Sequence, residues 1–388
     1  MSLQPTDENR SGSFYRPELD ALRFVAFLYV FISHAFSLAP DHYISAGLSP
    51  EPALWLARAV AVGGFGVGLF FVLSSYLITE LLIREYNRTG KLDVRSFYIR
   101  RALRIWPLYF FFLILVYLVI PQSSAYALPG KFLLPMFLLV GNWAVIAFNG
   151  MGYSVAGPLW SISVEEQFYL AWPLVIARVG VKRLKFVCFG AIIFANLARI
   201  VMEKKGLGFV AFLCNTISWL DAIAAGALIA LFLRGGVPRL SQVQRILMFA
   251  GGFAVWVVPA RFSRFLIYPD IASYPIIVTG SVMMLLAVLG SRLTHPILVY
   301  LGRISYGLYV WHVLSLAIVA LLFKKYSPLH ALSGFALTIL ISAVSYRWLE
   351  QPFLKLKKRF THVASRPVEA TAGLELPINI LGDAERSH

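Results

Sequence analysis

The sequence predicts an all-α, polytopic helical membrane protein with about ten transmembrane helices plus one re-entrant or interfacial segment. Three observations carry that expectation. First, 59% of the 388 residues are apolar and only 14% are charged, against ~45–50% and ~25% in soluble domains; the mean hydropathy is +0.73. Second, the apolar residues fall in blocks of spanning length, which favours helices over a barrel of alternating strands. Third, the basic residues gather between those blocks. This composition excludes a soluble enzyme and a disordered chain. The formal charge of +16, from 35 Lys+Arg against 19 Asp+Glu, fits positive cytoplasmic loops better than nucleic-acid binding. The expected partner is therefore the lipid bilayer, with no nucleic acid.

Residues 1–20 are polar and are expected in the cytoplasm. Apolar blocks follow at about residues 22–39, 61–83, 105–120, 132–148, 164–178, 186–202, 209–233, 246–259, 275–290, 304–323 and 331–349. Ser37-Leu38-Ala39 loosely fits a signal-peptidase site. However, Pro40 follows it and the block carries Arg23 and His34, so a first transmembrane helix is expected instead.

Basic stretches at Arg84–Arg104, Arg178–Lys185, Arg234–Arg245 and Lys355–Arg359 are expected in the cytoplasm. Between Arg104 and Arg178 the chain must then cross the membrane an even number of times. Block 132–148, interrupted by Pro135, Gly141 and Asn142, is expected not to span. Both termini then lie in the cytoplasm of a bacterial plasma membrane protein. Residues 21–354 form the membrane domain. Residues 355–388 form a basic, then polar tail, expected to be disordered from Thr361. Arg261, Arg264, Lys204, Lys205, Lys324 and Lys325 fall on the outer side, against the positive-inside rule. Cys188 and Cys214 sit in apolar surroundings without metal-site spacing; small core residues and no metal are expected.

Ionisable groups inside membrane helices are expensive and mark candidate function. The first block carries Asp20, Arg23 and His34. Asp20 and Arg23 are three residues apart and share a helix face. Arg23 and His34 are eleven apart, three turns plus ~20°, so they share a face about 16 Å apart. That face passes Phe27 and Val30 and reads as one wall of a pathway. Two plainer readings stand beside it: a buried histidine satisfied by a neighbouring helix, and an arginine snorkelling to the interface.

In Trp160-Ser161-Ile162-Ser163-Val164-Glu165-Glu166-Gln167-Phe168-Tyr169, two carboxylates open an apolar helix. Ser163 and Glu166 read as a capping box. Glu165 lies about 100° away from Glu166 and is expected level with His34, as the carboxylate partner of a general base. Arg100, Arg101 and Arg104 sit at a helix entrance, either as a grip for phosphates or as a positive-inside anchor. The glycines of residues 63–68 lack the strand of a dinucleotide fingerprint and instead allow close helix packing. Ser305, Tyr306, Tyr309, Trp311 and His312 form a late cluster. Glu350 before Pro352 is expected to end the last helix.

Together these blocks resemble the acyltransferase 3 family of membrane O-acyltransferases over about residues 16–354. The resemblance rests on Arg23 with His34, the stretch Phe70-Phe71-Val72-Leu73-Ser74-Ser75, Arg101 with Arg104, Trp160 to Glu165, and Ser305-Tyr306 with His312. Ser75 and Ala21 stand where glycine is usual. The resemblance implies an acyl-CoA donor, usually acetyl-CoA, and no permanently bound cofactor. It also implies an acceptor hydroxyl on a surface glycan or lipid-linked sugar. On this reading His34 is the general base, Glu165 holds it, Arg100, Arg101 and Arg104 grip the coenzyme A phosphates, and Arg23 lies along the pantetheine path. The rival class is a secondary transporter of an organic anion, which intramembrane charge also suits; no internal repeat supports it.

Overall fold

A computed structural model describes residues 3–4, 15–262 and 272–360. Helix α1 (Pro17–Ala35) opens with a proline at its first position, where no N–H is lost. Glu18 and Asp20 in its first turn complement the positive end of the helix dipole. Short α2 (Pro40–Ser45) leads to α3 (Pro50–Val62), which passes through a 3₁₀ turn at Gly63–Phe65 into α4 (Gly66–Thr89). A Cβ on Gly63 or Gly66 would meet the carbonyl oxygen of Tyr29 or Ala26 on α1. The glycine-rich stretch is thus a close crossing of two backbones, as its composition predicts.

Asp93 caps α5 (Val94–Val119), its carboxylate accepting from the Ser96 N–H at 3.0 Å. Block 132–148 forms two short helices, α6 (Gly130–Phe137) and α7 (Gly141–Ala147), with Leu139 between them at φ 58°. Neither reaches more than about 12 Å at ~1.5 Å per residue, short of a ~30 Å hydrocarbon core. After a 3₁₀ turn at Gly157–Leu159, α8 spans Trp160–Val179. Then come α9 (Leu184–Lys204), α10 (Phe209–Cys214), a 3₁₀ turn at Thr216–Trp219, and α11 (Leu220–Leu233).

The second half holds α12 (Gln242–Phe262), α13 (Ser273–Val288), α14 (Pro296–Arg303) and α15 (Ser305–Val319), the last two bent by 73°. Helix α16 (Pro328–Ser345) continues through a π turn at Tyr346–Glu350 into α17 (Gln351–Lys357). The expected stop at Glu350 is therefore corrected. The π turn shifts the hydrogen-bond ladder just before Pro352, so the proline does not end the helix. The strands among the described residues are β1 (Leu3–Gln4) and β2 (Val237–Pro238), an antiparallel pair.

Five helical stretches among the described residues are long and apolar enough to cross a membrane, or six if the bent α14–α15 pair is one span. Helices α1 and α8 are outside that set: α1 carries Glu18, Asp20 and Arg23, and α8 carries Glu165, Glu166 and Arg178. The helical, multi-pass class holds, while ten spans exceeds what length and apolarity alone mark out. The tail from Thr361 and Arg264 lie outside the described residues.

Helix α1 lies at the centre, packed on α4, α14, α15 and α16, with Ala21, Leu22, Ala26, Phe27 and Val30 fully enclosed. By contrast, Phe186, Phe189, Ile193 and Leu197 of α9 are exposed along one side; unpaired apolar surface of this kind suits lipid. Ser75 on α4 faces Gly226 on α11, where a Cβ would meet the Ser75 hydroxyl. The small residue missing on one helix is thus supplied by the other. Cys188 and Cys214 are free, buried core residues.

Candidate active site

Two groups of cavities lie beside opposite ends of α1. The first, about 150 Å³, is basic: Arg16, Arg23, Arg101, Arg104 and Lys357 line it, against two carboxylates, Asp20 and Glu165. Arg23 donates from Nη1 to Asp20 Oδ1 at 2.8 Å, one turn back on the same helix. Arg23 and Asp20 both line the cavity as this ion pair. Arg101 lies over the rings of Phe97 and Tyr169, at 5.5 and 5.6 Å, a setting that holds its planar cation in place. Glu165 accepts from Ser74 Oγ at 2.9 Å and from the Tyr169 hydroxyl at 3.1 Å. Ser305 and Tyr306, at the start of α15, complete the wall; the Tyr306 hydroxyl donates to the Ile105 carbonyl at 2.8 Å.

At the other end of α1, His34 lines two cavities of about 510 and 300 Å³. The Val30 carbonyl lies 2.8 Å from His34 Nδ1. A carbonyl only accepts, so Nδ1 carries the hydrogen and Nε2 keeps a free lone pair. The His312 ring stands edge-on to His34, centroids 4.9 Å apart. His312 repeats the pattern, with Nδ1 2.5 Å from the Tyr309 carbonyl; its Nε2 is buried and accepts from no group among the described residues. Sequence reasoning left open whether His34 is a histidine satisfied by a neighbouring helix. Its own helix satisfies one nitrogen, and the ring remains open to the cavity.

Val67 and Tyr309 border both the basic cavity and one His34 cavity. Tyr309 is fixed there, its hydroxyl 2.7 Å from Ser161 Oγ and 2.9 Å from the Pro158 carbonyl. Ser305, Tyr309 and His312 recur every three or four residues and so trace one face of the first half of α15. Phe27 and Val30, expected to line this path, are fully buried packing residues.

Three sequence expectations need correction. Glu165 is not paired with His34: its oxygens serve Ser74 and Tyr169, and it lines the basic cavity and neither His34 cavity. Helix α8 begins at Trp160, so Glu165 sits five residues, about 7.5 Å, further along it. For the same reason Ser163 and Glu166 form no capping box. Ser163 is a buried interior residue, and Glu166 Oε2 accepts from the Trp106 indole at 3.0 Å. Finally, Arg100 turns away from the basic cavity. It donates to Glu85 Oε2 at 2.8 Å and to the Phe360 carbonyl at 2.7 Å, tying α5 to α4 and to the 3₁₀ turn at Lys358–Phe360.

Some residues of the site were not singled out from sequence. Ser74 holds Glu165, and its signal lay in the Phe70–Ser75 stretch. Lys357 reads in sequence only as loop charge, and Arg16 only as part of the polar N-terminal segment. Arg199 and Asp221 form a buried pair at 2.6 Å, with the guanidinium 4.6 Å from the Tyr274 ring; Tyr274 lines a His34 cavity. Their charges inside apolar blocks were the available signal.

A family model described as an acyltransferase domain matches residues 16–347. The chain is 28% identical over 379 residues to "Putative O-acetyltransferase SAS0844" of Staphylococcus aureus strain MSSA476, covering 88% of this chain and 58% of that protein. It is 27% identical over 377 residues to "O-acetyltransferase OatA" of S. aureus strain NCTC 8325, covering 88% and 57%. The chain thus spans somewhat over half the length of these relatives. No solved structure matches. With its motifs gathered around two adjoining cavities and the family model covering most of its length, the chain belongs to the acyltransferase 3 family.

Proposed function

We propose that the protein is a membrane O-acyltransferase that moves an acyl group, acetyl in the simplest case, from acyl-CoA to a hydroxyl of a surface glycan or lipid-linked sugar. The observation that carries this reading is the pairing of a basic cavity with a histidine cavity across the Val67–Tyr309 boundary. Coenzyme A has the matching form: anionic phosphates at one end, a thin pantetheine arm, and a thioester at the other. Arg101, Arg104 and Lys357 receive the phosphates. Arg23 and Glu165 line the arm, and the thioester reaches His34. The donor is a substrate, and no bound cofactor is required.

The hydroxyl gives its proton to His34 Nε2 as its oxygen attacks the thioester carbonyl. The tetrahedral adduct collapses by breaking the C–S bond, and the imidazolium returns the proton to the departing thiolate. Val30 fixes the tautomer that this step needs. On this reading the chain forms about ten spans in a bacterial plasma membrane, with both termini and the basic cavity on the cytoplasmic side. The test is purified protein with labelled acetyl-CoA and a glycan acceptor. His34→Ala at equal folded amount should lose roughly 10²–10⁴-fold in rate, the usual worth of a general base. Retained transfer would refute the mechanism.

A further inference from the structure

A fourth cavity, about 630 Å³, lies beside the His34 cavities and differs from both groups in its chemistry. Its walls are apolar, formed in part by Tyr29, Ile32, Leu56 and Phe253. Leu56 and Phe253 are exposed, so the cavity opens at the surface of the bundle. Lys324 and Lys325 line it, and among the described residues no carboxylate does. Phe36, Lys325 and Tyr326 border this cavity and the larger His34 cavity alike.

The two lysines immediately precede the N-terminus of α16, where Ser327 Oγ accepts from the His330 N–H at 3.1 Å. The positive end of an 18-residue helix therefore adds to two cations. Lys325 Nζ lies 4.9 Å from the Tyr326 ring and 5.2 Å from Tyr153, which holds it at the junction of the two cavities. Lys324 and Lys325 are also among the cations that break the expected charge asymmetry of the loops. Positive charge beside an exposed apolar cavity has a use if an anion is bound there.

We propose that this cavity is a binding site for a lipid phosphate whose headgroup carries the acceptor sugar. The hydrocarbon tail occupies the apolar walls, the phosphate meets Lys324, Lys325 and the N-terminus of α16, and the sugar extends past Tyr326 toward His34. The assignment rests on the acyl-transfer reading for the sugar's place beside His34, and it deepens that reading by naming a lipid-borne acceptor.

The test is equilibrium binding to the full chain, in neutral detergent and without acyl-CoA, so it does not depend on turnover. The probe is glucosyl farnesyl phosphate, in competition with farnesol, inorganic phosphate and phosphatidylglycerol. Saturable binding is expected, with each competitor weaker by about tenfold or more. The doubly neutralised variant K324Q/K325Q should weaken probe binding by about tenfold or more, the scale of losing charge-assisted contacts to phosphate. The K324R/K325R variant, which keeps the charge, should stay within a few-fold of wild type and so separates charge loss from misfolding. Equal displacement by phosphatidylglycerol would make this a general lipid site, and equal displacement by inorganic phosphate a free-anion site. Either result overturns the proposal, as does unchanged binding by K324Q/K325Q or loss in both variants. Should His34→Ala prove the acyl-transfer reading wrong, probe binding would still stand or fall on these arms.

Discussion

Neighbouring arginines in this protein have different work. Arg100 is spent on Glu85 and the Phe360 carbonyl, whereas Arg101 and Arg104 line the basic cavity. Arg101→Ala and Arg104→Ala should therefore raise the KM for acyl-CoA more than that for the acceptor, with little change in thermal stability. Arg100→Ala should do the reverse: it leaves Glu85 buried without its cation, a loss of about 3 kcal/mol or more visible as a lower Tm. Steady-state kinetics and thermal unfolding on the same preparations separate the two. Glu165→Gln should also act on the donor side, raising the KM for acyl-CoA, because its partners are Ser74 and Tyr169 and not His34. An effect confined to the acceptor KM would contradict that placement. The Arg23–His34 relation was legible in the sequence because helical periodicity is a local property. The height of Glu165 was not, because it depends on where α8 begins.

Among elements, α8 shows how one 3₁₀ turn redirects a site. Gly157–Leu159 starts the helix early, carries Glu165 below His34 and removes the expected capping box. Nothing in the Ser163–Glu166 spacing announces this, since a capping box and an interior pair look alike in sequence. The break in 132–148 was readable from the composition of its own segment, although it falls at Leu138–Val140 and Pro135 lies inside α6. The π turn before Pro352 was not, since it depends on packing that the sequence does not display. Close helix contacts give a further check. A Cβ on Gly302 of α14 would meet the backbone of Asp20, the residue that holds Arg23. Gly302→Ala should cost about 1–3 kcal/mol through overpacking, read as a lower Tm, and should weaken acyl-CoA binding by displacing the Asp20–Arg23 pair. Normal stability and affinity in that variant would mean the α1–α14 contact is looser than described.

Across the whole molecule, helical membrane class was legible because the bilayer demands long apolar blocks and closed backbone hydrogen bonding. The number of spans was less so, because the helices that carry the chemistry lose apolarity by carrying it. The Arg199–Asp221 pair at 2.6 Å belongs to this scale, since it joins α9 to α11 behind the His34 cavities. Asp221→Ala should destabilise the protein by about 3–5 kcal/mol by stranding a buried guanidinium. The Arg199→Met/Asp221→Leu double variant should recover much of that loss in thermal unfolding.

The central claim is that one continuous site holds the donor at the arginines and performs chemistry at His34. The most direct test measures acetyl-CoA binding and acetyl transfer side by side in wild type, His34→Ala and the Arg101→Ala/Arg104→Ala double variant. The account predicts that His34→Ala binds acetyl-CoA nearly as wild type does but transfers almost nothing, while the arginine variant binds weakly and regains rate at high acetyl-CoA. Transfer by His34→Ala, or wild-type acetyl-CoA affinity in the arginine variant, would contradict it.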